Sequence, residues 1–261
     1  AAAVVQDCAA GGQVCTGAAC ADLGSAAAPA ESCSALAAAG YTGDGAFWVD
    51  ADGAGGADAG LVWCAMDGGW TLVESFSLAN NATVRTSPFF VDLPLGTTGP
   101  LDLALFRLPL DRMSALEDVS HEWMATCDGD TSETRDYWRV PMSEVRPTEL
   151  DALPRCVRAT AVDIRGYGCS GCVVAAYQDA ATYHLHTDAS LTDCGPSPWN
   201  AGAVASEDDF GHYYTTNAAF TCTAGADSTT NWWFRTRTCE PGAVYCDDQR
   251  ALDTGLVTQA D

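Results

Sequence analysis

The chain of 261 residues carries 35 acidic side chains against 12 basic ones, a formal net charge of −23, and every basic residue is arginine. Such a surface excludes nucleic acid as a partner and argues against anionic membrane, because both require a cationic face. Thirteen cysteines are spread over the whole length and 48% of the residues are hydrophobic, which describes a disulfide-stapled chain of an oxidising compartment with enough apolar material for a large core.

Residues 1–30 are Ala-rich and hold Cys8, Cys15 and Cys20, the spacing of a small stapled appendage, with 25–29 reading as a linker. From 31 to 40 the pattern predicts a short helix, capped by Ser32 and ended by Gly40. A strand over 46–50 follows. The next stretch, Asp50 to Asp58, has calcium-like Asp spacing but lacks a terminal Glu, and reads as a polar hairpin tip. Residues 61–73 read as strand, turn and strand, with Asp67-Gly68-Gly69 supplying the positive φ angles of a tight turn.

Residues 80–100 read as a loop with a short strand at 89–91, and Asn81-Ala82-Thr83 is a glycosylation acceptor triplet. Strands are expected over 101–108, 119–127, 137–142 and 157–165, and a helix over 110–116. The acidic turn 128–133 reads as solvated. Cys169-Ser170-Gly171-Cys172 precedes a strand-like stretch where a redox motif would start a helix, so its cysteines read as structural half-cystines. His184 and His186 lie two apart on one face of an expected strand, which reads as an exposed polar face, with a metal site as the alternative. Residues 187–211 form a long irregular segment of the kind that carries function or is held by a ligand.

Two groups of residues carry a resemblance. Cys33, a short helix, Gly43 and Gly45, an aromatic strand, Cys64, Met66 and Gly68-Gly69-Trp70-Thr71 follow one another as at the start of fibrinogen-like domains, a pattern that intelectins share in modified form. Cys222, Asn231-Trp232-Trp233-Phe234 and Cys239 are similar to the second hallmark of that family. Ala65 stands where the family has Asp, and Glu240 where it often has His. The resemblance implies an α+β fold, with a small N-terminal helix and hairpin part and a central, mostly antiparallel sheet with long loops, stapled by disulfides. It implies the pairs Cys33–Cys64 and Cys222–Cys239. It also implies a calcium loop at Glu207, Asp208, Asp209 and Gly211, and a pocket for acetylated sugars at Phe234, Thr238, Cys239, Glu240 and Tyr245.

The division expected is therefore an appendage and linker over 1–30, a fibrinogen-like domain over 31–246 and a polar tail over 247–261. No nucleophile elbow, phosphate-binding Gly loop or zinc-protease motif is present, so no enzymatic activity is expected. The expected function is a secreted, calcium-assisted recognition module for glycans or glycoproteins. The alternative is a structural subunit of an extracellular filament, sheath or surface layer, joined to copies of itself. The odd cysteine count leaves a thiol for such contacts. No run is apolar enough for membrane insertion.

Overall fold

The computed structural model describes residues 13–16, 19–53, 57–97, 100–133, 136–149, 155–179, 183–187, 194, 210–211 and 220–237. Near the N-terminus, β1 (Val14–Thr16) and β2 (Ala19–Ala21) form a hairpin in which Cys15 lies opposite Cys20. The segment expected as a linker is instead docked on the sheet. Trp48 N–H donates to the Gly24 carbonyl, and Asp50 N–H to the Ala30 carbonyl, both at 2.8 Å. The Tyr41 hydroxyl bonds the Leu23 carbonyl, and Ala28 and Ala30 are buried. Small side chains allow this close approach, and it covers the outer edge of a strand that would otherwise present unpaired backbone groups.

The first helix, α1 (Cys33–Ala38), starts where expected, with the Ser32 side chain accepting from Ala35 N–H at 3.1 Å. Then β3 (Gly45–Val49), β4 (Gly60–Ala65) and β5 (Trp70–Ser77) run as an antiparallel meander. At the turn between β4 and β5, Gly69 has φ +66°, and a Cβ there would lie 2.6 Å from Ser34 Cα. Only glycine lets the hairpin tip sit on α1, where the Ser34 hydroxyl donates to the Gly69 carbonyl. Cys33 and Cys64 form a disulfide that ties the two together.

After β5 comes α2 (Asn81–Val84). Asn81 is only 3% exposed, so the triplet that reads as a glycosylation acceptor offers no accessible amide in the folded chain. Residues 89–91 turn rather than extend, because Phe89 points into the core and its N–H is taken by the Gln178 side chain. The next elements are β6 (Leu105–Arg107), α3 (Leu110–Val119), β7 (Ser120–Cys127) and β8 (Tyr137–Pro141). The strand expected over 157–165 is two strands, β9 (Arg155–Arg158) and β10 (Ala161–Ile164), which belong to different sheets. They are followed by β11 (Tyr167–Ser170), β12 (Val173–Ala176), a 3₁₀ turn (Thr221–Thr223) and β13 (Thr229–Thr236).

Among the described residues the main sheet has nine strands in the order β11-β10-β8-β7-β13-β5-β4-β3, with β6 also paired to β5, and every pairing in it is antiparallel. β9 and β12 pair separately. The fold is α+β, a mostly antiparallel sheet with few helices. The last strand, β13, lies between β5 and β7 and is hydrogen-bonded along both edges. Trp232, Trp233 and Phe234 are consequently at most 1% exposed. Phe234 therefore fills the core and does not line an open sugar pocket. The expected Cys222–Cys239 pair is also corrected. Cys222, in the turn before β13, is bonded to Cys127 at the end of β7. The neighbouring strands bring Thr230 opposite Cys127, so the two cysteines meet where β13 begins.

Candidate ligand-binding site

The site is built on an ion network inside the core. On β5 the apolar face runs Trp70, Leu72, Glu74, Phe76. Glu74 is directly opposite Arg107 of β6 and Trp232 of β13. Arg107 Nη1 lies 2.9 Å from Glu74 Oε2, and His184 Nε2 lies 2.8 Å from Oε1, with the Glu74, Arg107 and His184 side chains all 0% exposed. The Arg107 guanidinium also donates to the carbonyls of Ser87, Pro88 and Val91. His184 Nδ1 is 3.0 Å from the Ser87 carbonyl, and its ring packs among Phe76, Phe89 and Trp232. A buried charge is tolerated only when it is compensated, and here each Glu74 oxygen has a basic nitrogen within 2.9 Å while the Arg107 guanidinium is held by backbone carbonyls. It fastens two irregular stretches, 85–91 and 183–187, to the centre of the sheet.

The outer end of the second stretch carries a cluster of rings. Tyr177, Tyr183 and His186 lie with centroids 5.4–5.5 Å apart, and the two tyrosines are partly exposed. Backbone bonds between Tyr177 and His186 close the cluster from below. The Tyr177 hydroxyl donates to Asp179 Oδ2 at 2.8 Å. Partial burial first, and then the Asp179 carboxylate, push the Tyr177 phenol up to about 12. The hydroxyl therefore stays a donor across the physiological range. Next to His186, Thr187 exchanges both backbone bonds with Phe210. Gly211 follows with φ +101°, where a Cβ would meet the Leu185 carbonyl at 2.6 Å and Trp232 at 3.1 Å. Trp232, in the middle of β13, thus lies against both the His184 ring and Gly211.

Of the residues expected to hold calcium, Gly211 is described, and it packs beneath this cluster; Glu207, Asp208 and Asp209 lie outside the described residues. So do Thr238, Cys239, Glu240 and Tyr245 of the expected sugar pocket. Among the described residues no group of three or more His, Cys, Asp or Glu is arranged to hold a metal. In the turn after β7, Asp128 accepts from Thr229 N–H and Asp130 from Ser132 N–H, so the first carboxylate ties the turn to the start of β13 and the second ties the turn to itself. At the β3–β4 tip, burial first and then Asp52 raise the Asp50 carboxyl above its usual range.

His184 and His186 correct a further expectation. They are 0% and 3% exposed and do not share a polar face. They sit between isolated backbone bridges rather than in a regular strand, so the two-residue alternation does not hold. Glu74, Arg107, Tyr177 and Asp179 did not stand out in the sequence. A Glu in the otherwise apolar alternation of β5 is the signal that was available for the first.

No family model matches the sequence, and no curated protein matches it. In fold the chain is similar to the fibrinogen-like globe domain of human ANGPTL6, at 12% identity and a TM-score of 0.34, over 81% of this chain and 97% of that one.

Proposed function

We propose that the chain is a secreted, calcium-assisted recognition module that binds carbohydrate, with no catalysis at that site. The observation that supports this reading is the partly exposed pair Tyr177 and Tyr183, braced by His186 and adjoining the Thr187–Phe210 bridge. Aromatic faces stack on the apolar face of a sugar ring, and the Tyr177 oxygen, its proton held by Asp179, accepts from a sugar hydroxyl and fixes its orientation. In the sequence the acidic run Glu207-Asp208-Asp209 directly precedes Phe210, and hard oxygen ligands of that kind would take calcium. Four disulfides among the described residues support an oxidising, extracellular compartment. The test is a glycan array probed with calcium and again with a chelator. Binding that the chelator abolishes, and that Tyr183→Ala weakens at least about tenfold through loss of a stacked ring, is expected. Absence of glycan binding in both conditions overturns the reading.

A second reading has its own observation. Cys15 is an exposed free thiol on the β1–β2 hairpin, which suits a structural subunit joined to copies of itself. Sedimentation would then show polymers that a reducing agent disperses.

A further inference from the structure

We infer that the Cys169–Cys172 disulfide is an exchange site for the thiols of extended peptide segments, not a structural staple. Four observations meet at it. It spans a sequence separation of 3, against 31, 38 and 95 for the other described disulfides. Stabilisation by a cross-link grows with the loop it closes, so this one contributes least. It also lies at an accessible place: Cys169 and Cys172 are half-buried with exposed Ser170 and Gly171 between them, whereas Cys33, Cys64, Cys127 and Cys222 are at most 3% exposed; Cys156, which is exposed as well, belongs to a bridge that closes a far longer loop.

The third observation is a cation. The exposed Arg158 side chain donates to the Gly171 carbonyl at 3.0 Å, beside Cys172. A guanidinium there favours the thiolate that exchange releases. The fourth is a contact surface. Tyr167 is 39% exposed and Val173 40%, so they flank the bridge as two of the large apolar side chains left in solvent. Tyr167 and Cys169 alternate onto one face of β11, and among the described residues β11 is the outermost strand of the main sheet, the position at which an extended peptide adds.

The exchange balances with a peptide dithiol as co-reactant. A peptide thiolate attacks one sulfur of the pair. The S–S bond breaks, and its electron pair leaves on the other cysteine as a thiolate near Arg158. The second peptide thiolate then attacks the peptide sulfur of the mixed disulfide. The peptide departs as a disulfide, two electrons remain on Cys169 and Cys172 as thiols, and the protons pass through water.

The experiment uses the full chain carrying Cys15→Ser, so that the free thiol does not contribute. A synthetic extended peptide with two cysteines is added, and loss of its thiols is followed by mass spectrometry. The chain is expected to oxidise the peptide at least about tenfold faster than the same chain with Cys169→Ser and Cys172→Ser, and Arg158→Ala is expected to slow the reaction about threefold by withdrawing support from the leaving thiolate. In parallel, differential alkylation at rising dithiothreitol should open Cys169–Cys172 before Cys33–Cys64 and Cys127–Cys222. Equal rates with and without the cysteine pair overturn the inference. Opening together with the buried bridges, or loss of fold in the Ser variant, also overturns it, since either marks a staple.

Discussion

Replacing Glu74 by Gln tests whether the buried ion network holds the site in place. The substitution keeps the shape of the side chain and removes its charge. The Arg107 guanidinium then remains 0% exposed, with three backbone carbonyls but no carboxylate. The two Glu74 oxygens now face Arg107 and His184 separately, so one of those nitrogens would meet an amide NH₂ group in place of an acceptor. Breaking a buried pair by removing one partner costs about 3–5 kcal/mol. For a domain of this size each kcal/mol lowers the melting temperature by about 2–4 °C, so a fall of at least about 6 °C is expected. Urea unfolding with the disulfides intact, followed by tryptophan fluorescence, measures the loss, since Trp232 packs against His184. A double-mutant cycle with Arg107→Met should give a coupling of at least about 2 kcal/mol, because the two residues share one network. A loss below about 1 kcal/mol, with unchanged denaturant slope, would refute the argument that the pair is what makes these charges tolerable inside the sheet.

Glu117 gives a pH dependence. Burial raises its carboxyl above 4.5, with the bonds from Thr148 and the charge of Arg146 opposing. A raised carboxyl favours the folded state most when protonated, so the stability of the chain relative to Glu117→Gln should be greatest below pH 4.5 and decline as pH rises through the folded-state value; a relative stability that increases with pH contradicts the assignment. In an ultraviolet titration Tyr177 should ionise only near 12, and Tyr177→Phe should remove that late step while leaving earlier ones. Non-reducing peptide mapping should recover Cys127 linked to Cys222, and a Cys222–Cys239 peptide in its place would sink the pairing. Removing the Cys127–Cys222 bridge, with its separation of 95, should cost about 4–5 kcal/mol in the chain-entropy model, measurable by thermal unfolding against the intact chain.

The first half of the domain was legible because its signals are local. Ser32 caps α1, Gly68-Gly69 turns the hairpin, and the apolar residues of β4 and β5 alternate at the period of a strand. Cys33 and Cys64 lie in those same elements. The order of strands across the sheet was not legible, since nothing within β13 tells which strands flank it. That choice decides whether Cys222 meets Cys127 or Cys239, and whether Phe234 is core or pocket. The ring cluster escaped for a related reason. Tyr177 and Tyr183 are six positions apart and meet through bridges that no periodicity announces. His184 looked like a surface residue because its partners, Glu74 and Arg107, are more than 70 residues away along the chain.

The docked segment between β2 and α1 gives the chain a fixed mount in place of a pliable tether. Asp22 alone separates β2 from Leu23, whose carbonyl is held by Tyr41, and Gly24 and Ala30 are bonded to the sheet on either side of the bend. A group attached through Cys15 therefore rides at the sheet's edge with its direction set by the fold. Two chains coupled there would present their ring clusters within a span limited by one disulfide between two fixed hairpins. Such a pair would favour targets whose repeat matches that span and gain little on others, because the benefit of a second contact depends on whether the linkage can reach it.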